Sequence, residues 1–108
     1  MNPNKLSADV SASGQIDPSD IAAIKELGFR SIICNRPDGE GADQPDFEEI
    51  RQAAEAAGLQ ARYLPVSPSG LTAADLEGFS GLTETLPKPI LAYCRSGARS
   101  AALWQNTQ

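Results

Sequence analysis

The 108-residue chain predicts an α/β domain, a parallel sheet flanked by helices. Three observations carry that prediction. Apolar runs centred on Ile32, Tyr63 and Leu91 lie 31 and 28 residues apart. A helical pattern fills each gap, and Gly- or Pro-rich turns punctuate the boundaries. Strand, helix and strand at this spacing fit right-handed βαβ crossovers and a parallel sheet. With 41 % hydrophobic residues the chain can fill one modest core, so 1–108 reads as a single domain.

The elements follow in order. The segment from Ala8 to Ile16 is expected to add an edge strand. Asp17 caps a helix with Pro18 at its first position; Ile21, Ile24 and Leu27 share one face, and Gly28 ends it. Ser31 to Cys34 reads as a buried strand, followed by a loop from Asn35 to Gly41. A second helix is expected from near Pro45, with Phe47, Ile50, Ala54 and Ala57 on its core side and Gly58 at its end. Ala61 to Pro65 is the next strand, weak by pattern, and Val66 to Gly70 the loop after it. Thr72 and Asp75 form a capping pair for a third helix whose apolar face is Leu76, Phe79, Leu82 and Leu86. Pro87 and Pro89 break the chain, Ile90 to Tyr93 forms the last strand, and a helix starts near Ser100. Its end at Gln108 reads as a truncated C-terminal helix, as in one domain of a longer protein. Phe47, Phe79 and Trp104 fall at helical core spacing and read as packing residues.

Charge and composition exclude several functions. The formal charge is −5, and Lys and Arg form no stripe, which argues against nucleic acid as a partner. No apolar run is long enough for a membrane span and no export signal is visible, so a cytoplasmic location is expected, with the two cysteines reduced. Histidine is absent, which removes Ser-His-Asp and Cys-His catalysis and the commonest transition-metal ligand. No metal or other cofactor is expected.

Ligands of parallel sheets bind beyond the carboxyl ends of the strands, where the loops 35–41, 66–70 and 94–99 should converge. The last carries the chemistry. Cys94 directly follows an apolar strand, Gly97 permits a tight turn, and a helix follows whose free N–H groups point back at the sulfur. Arg99 adds a permanent cation suited to oxyanions. A thiol so placed ionises readily, with a pKa of roughly 3.5–7.5, and the cradle that holds the thiolate can also hold an anionic substrate. Cys94 is therefore the expected nucleophile, with Arg99, Ser96, Gly97 and Ala98 around the anion and Arg95 on the rim. Ser100 either bonds the thiolate or simply starts the helix. Ser67 and Ser69 read as loop structure, since nothing could act as their base.

The segment Tyr-Cys-Arg-Ser-Gly-Ala-Arg-Ser at 93–100 resembles the active-site loop of rhodanese-type sulfurtransferases. With Asn-Arg-Pro-Asp-Gly-Glu at 35–40, Ser-Gly-Gln-Ile-Asp at 13–17 and Leu-Pro-Val-Ser at 64–67, the whole chain resembles a bacterial family, the phosphatase-like domain of beta-lactamase-hydrolase-like proteins (DUF442). That resemblance implies a protein-tyrosine or dual-specificity phosphatase-like fold. It also implies association with persulfide dioxygenase and sulfide-oxidising partners and a label of sulfur transferase.

The residues lean towards sulfur transfer. Four residues separate Cys94 from Arg99, one fewer than in tyrosine phosphatases, and a tighter cradle should suit a sulfane sulfur. The loop 66–70 offers no carboxylate to protonate a leaving oxygen, whereas thiolates leave unaided. The expected function is a sulfurtransferase that moves sulfane sulfur from a small anionic donor, thiosulfate or a persulfide, to an acceptor thiol through a Cys94 persulfide. The alternatives are a cysteine-dependent phosphatase acting through a phosphocysteine, and a non-catalytic sulfur-relay or docking domain. Asp38 is the candidate acid or orienting carboxylate, with Glu40 a second choice, and Arg36 could bind a substrate anion; Pro37, Asp38 and Gly39 alone would also make a turn. Cys34 reads as core, with a resolving role towards Cys94 as the alternative.

Overall fold

The structure, a computed structural model, describes residues 2–108. Five strands form one sheet: β1 (Asn4–Lys5), β2 (Val10–Ser13), β3 (Ser31–Cys34), β4 (Gln60–Tyr63) and β5 (Ile90–Tyr93). Their order is β1-β2-β5-β3-β4, antiparallel only between β1 and β2 and parallel elsewhere. A 3₁₀ turn (Pro18–Asp20) and the helices α1 (Ile21–Glu26), α2 (Phe47–Ala56), α3 (Ala73–Thr85) and α4 (Ala98–Asn106) connect and cover it. Among the described residues no helix is long and apolar enough to cross a membrane.

The central strands read as continuous apolar runs because both sheet faces are covered. Along β5, Leu91 and Tyr93 join Ile32 and Cys34 of β3 in a core against α1 and α2, sealed by Ile24, Ile50 and Ala54. Ile90, Ala92 and Ile33 point the other way, into a second core with Phe79 of α3 and Leu103 of α4. Helices α2 and α3 start at capping boxes. Thr72 Oγ1 accepts the Asp75 N–H at 3.1 Å while the Asp75 carboxylate accepts the Thr72 N–H at 2.9 Å, a reciprocal cap. Asp46 donates its N–H to the Glu49 carboxylate at 3.0 Å at the start of α2.

The N-terminal segment differs from expectation. The edge strand is β1, while β2 lies inside the sheet, paired in parallel with β5. Its sequence, Val-Ser-Ala-Ser, lacks the bulky alternation of a central strand because it abuts the Cys94 loop. A Cβ on Gly14 would lie 3.0 Å from the Arg95 carbonyl oxygen, and one on Gly97 would lie 3.2 Å from the Ser13 carbonyl carbon. Small residues here let strand and loop touch. The fourth helix begins at Ala98, two residues before the expected start, and so draws Arg99 and Ser100 into its first turn.

Candidate active site

Cys94 follows the last residue of the central strand, so its position is fixed by β2 on one side and β3 on the other. Its N–H donates to the Ser13 carbonyl at 3.3 Å, and the Asn35 N–H donates to the Tyr93 carbonyl at 2.7 Å. The loop then reverses at Gly97, whose φ of 96° lies in the left-handed region. That turn aims the Gly97 N–H at Cys94 Sγ, 3.1 Å away. Burial alone would push the thiol up, but hydrogen bonds from the backbone N–H groups of Ser100, Arg99, Gly97 and Ser96 outweigh it, and the Cys94 pKa falls below the usual thiol value. Cys94 is therefore buried and biased towards thiolate with no base beside it.

Arg99 stands in the first turn of α4 with its guanidinium spread between two loops. Nη1 donates to the Val66 carbonyl and to Glu40 Oε2, each at 2.9 Å, and Nη2 donates to Glu40 Oε1 at 2.7 Å. Glu40 Oε1 also accepts from Arg36 Nε at 3.0 Å, and Arg36 Nη1 donates to Gln15 Oε1 at 3.1 Å. The Arg99 hydrogen bond is the largest influence on Glu40 and holds its carboxyl down at about 2. These side chains surround a pocket of about 410 Å³ over the loop, lined by Arg36, Glu40, Gly41, Pro68, Arg95, Ser96 and Arg99. Thus the loops 35–41, 66–70 and 94–99 do meet at the carboxyl end of the sheet.

The other residues singled out by sequence are distributed unevenly. Asp38 does not line this pocket. Its Oδ1 accepts the Phe47 N–H at 2.8 Å, at the start of α2, and its own N–H donates to the Tyr63 hydroxyl at 2.8 Å. The structure thus gives Asp38 to the helix and brings Glu40, its neighbour two residues on, to Arg99. Ser100 donates its hydroxyl to Asn35 Oδ1 at 2.8 Å rather than to the sulfur, and Asn35 Nδ2 donates to the Leu64 carbonyl at 3.0 Å. Both are fully buried, so this pair ties the Cys94 helix to the neighbouring loop. Asn35 was legible in sequence only as a turn residue. Ser96 Oγ accepts the Ala98 N–H at 3.3 Å, and Arg95 is an exposed residue of the pocket lining with no side-chain hydrogen bond to another described residue. Cys34 is a free, buried thiol in the α1/α2 core, donating to the Arg36 carbonyl at 3.2 Å; burial pushes its pKa up.

A cysteine at the end of a central parallel strand, an amide-lined loop and an arginine in the following helix define a phosphatase-like α/β domain of the tyrosine and dual-specificity type. The chain belongs to the family described as the beta-lactamase hydrolase-like protein, phosphatase-like domain, whose model matches residues 4–108. It is 33 % identical over 104 residues to the beta-lactamase hydrolase-like protein of Agrobacterium fabrum, covering 96 % of this chain and 24 % of that protein. It therefore spans about a quarter of the length of the curated relatives it matches. The crystal structure of a candidate phosphatase from Neisseria meningitidis superposes with a TM-score of 0.87 at 40 % identity, covering 94 % of this chain and 72 % of that one. The core catalytic domain of a PP-IP phosphatase from S. cerevisiae, in complex with citrate, shares the fold with a TM-score of 0.73 at 17 % identity, covering 95 % of this chain and 62 % of that one.

These findings overturn the sulfurtransferase expectation and favour the phosphatase alternative. That expectation rested on loop length. In the structure α4 starts at Ala98, so Arg99 and Ser100 lie in its first turn and their N–H groups belong to the helix start that faces Cys94. Counting residues between Cys94 and Arg99 therefore did not measure the site that forms.

Proposed function

We propose that this domain is a cysteine-dependent phosphatase that hydrolyses phosphate compounds through a Cys94 phosphocysteine. The observation that carries this reading is the Gly97 N–H aimed at the buried Cys94 sulfur at the start of α4, with Arg99 braced by Glu40 at the mouth of the same loop. The Cys94 thiolate attacks phosphorus from within the cradle, and the bridging oxygen departs with the electron pair of the broken P–O bond. Arg99 and the loop N–H groups face the non-bridging oxygens, whose negative charge they stabilise more strongly as the transition state forms. Water then attacks the phosphocysteine, releasing inorganic phosphate and returning the sulfur as thiolate. The phosphatase fold of the relatives supports the same reading.

The test is hydrolysis of p-nitrophenyl phosphate by the protein and its Cys94→Ser variant, with rapid quenching and mass spectrometry of the Cys94 peptide. Turnover that vanishes in C94S, with a phosphoryl group trapped on Cys94, is the expected result. Turnover that persists in C94S would overturn the reading.

A further inference from the structure

We infer that the pocket is built for a phosphoanhydride, a terminal phosphate carried on a second phosphate, and not for a phosphate ester of an alcohol or of tyrosine. The inference rests on the phosphatase reading above and concerns which bond that chemistry cleaves.

Two independent features of the pocket point this way. The first is the state of its carboxylate. Glu40 is the acidic residue among those lining the pocket, and both its oxygens are taken: Oε2 by Arg99 Nη1, and Oε1 by Arg99 Nη2 and Arg36 Nε. A carboxylate held by two guanidiniums stays ionised and has no proton to give. Asp38 is committed to the Phe47 N–H and lies outside the pocket lining. The chain has no histidine, and the serine of the lining, Ser96, holds a helix-start N–H. An alkoxide or an ordinary phenolate leaving without a proton is slow, and general acid assistance contributes about 10²–10⁴-fold. A departing phosphate differs, since its second ionisation lies near ~6 and it leaves as a stable anion at neutral pH.

The second feature is the surplus of positive charge. Three arginines, Arg36, Arg95 and Arg99, line the pocket with one carboxylate, and Arg36 and Arg99 pair with it. Arg99 serves the reacting phosphate. Arg95 is exposed, with its donors unclaimed by other described residues, and the buried Arg36 keeps Nη2 without a hydrogen bond to another described residue, packed so closely on Gly41 that a Cβ there would lie 2.7 Å away. Only Pro68 supplies an apolar side chain to the lining, so an aromatic ring would find little to pack against. A second phosphate matches both the charge and the polarity.

The step balances without an added acid. The Cys94 S–P bond forms as the P–O bond to the bridging oxygen breaks, and the leaving phosphate carries off the electron pair. Water then cleaves the S–P bond, and its proton passes to solvent with inorganic phosphate as product. The Arg95 and Arg36 guanidiniums hold the departing phosphate and stabilise the charge that develops on it.

The experiment compares three probes with the whole protein: p-nitrophenyl phosphate, phenyl phosphate and phenyl diphosphate, each followed by release of inorganic phosphate. The expected result is Cys94-dependent turnover of phenyl diphosphate and p-nitrophenyl phosphate, with kcat/KM for phenyl phosphate lower by about 100-fold or more. Arg95→Ala should raise KM for phenyl diphosphate about tenfold. Phenyl phosphate cleaved within tenfold of the diphosphate would show that a proton donor acts and overturn the inference. Turnover of p-nitrophenyl phosphate without turnover of phenyl diphosphate would overturn it too, leaving the phosphatase reading intact. Failure of Cys94-dependent turnover with all three probes would overturn the phosphatase reading itself.

Discussion

At the scale of single residues, the two cysteines show how neighbours decide reactivity. Both are buried, yet Cys94 lies beneath loop N–H groups that lower its pKa, while burial among apolar side chains raises that of Cys34. Alkylation by iodoacetamide, read by peptide mass spectrometry across pH, should give a Cys94 profile whose midpoint falls below that of a free thiol, with Cys34 unmodified until the protein unfolds. The sign for stability follows. A depressed thiol pKa stabilises the fold fully above the unfolded thiol value and loses that contribution as pH falls through the folded one. Glu40 obeys the same rule at lower pH: held at about 2 against an ordinary 4.5, its contribution is present above the ordinary value and lost as pH falls towards about 2. Replacing Glu40 by Gln removes the anion that braces Arg99. Hydrolysis should then fall about tenfold or more in kcat/KM, while the pH profile of Cys94 alkylation stays in place.

At the scale of elements, the strand-loop-helix from Ile90 to Asn106 is the unit that makes the site. Its reversal depends on Gly97, where φ is 96° and any side chain would press on Ser13. Gly97→Ala should cost about 1–3 kcal/mol in urea unfolding and cut activity more than stability, because the displaced N–H serves the sulfur. The start of α2 offers a contrasting case. Asp38→Ala should lose about 1 kcal/mol of stability through the unpaired Phe47 N–H, while Asp38→Asn should leave the pH–rate profile unchanged; a lost limb in that profile would make Asp38 an acid. This carboxylate marks the boundary of what sequence conveys. The loop from Cys94 to Arg99 was legible because its parts are contiguous and each has a local physical role. Asp38 and Glu40 sit two residues apart in one turn, and only the course of that turn in space decides which of them meets Arg99. Ser100 and Asn35 illustrate the same limit, being buried partners separated by 65 positions. The helix caps at Thr72 and Asp75 were legible because the cap is a local code.

At the scale of the whole molecule, the site is a junction. Residues from β2, the loop after β3, the loop after β4 and the start of α4 all contact the Cys94 segment or Arg99. A ligand that binds there should therefore stabilise the fold as a whole. Inorganic phosphate at ten times its Kd should add about 1.4 kcal/mol and raise Tm by several degrees, and Arg99→Ala should abolish the shift. The alternation of helices and strands was readable from spacing alone, but strand order was not: β2 is made of small residues and carries no sign in sequence that it pairs with β5. That order also makes β5 the joint of the sheet. The β1–β2 pair and the β3–β4 pair have no ladder between them except through β5. The strand that delivers Cys94 is therefore the one that ties the two halves together, so a substitution that loosens β5 should cost stability and reactivity at once.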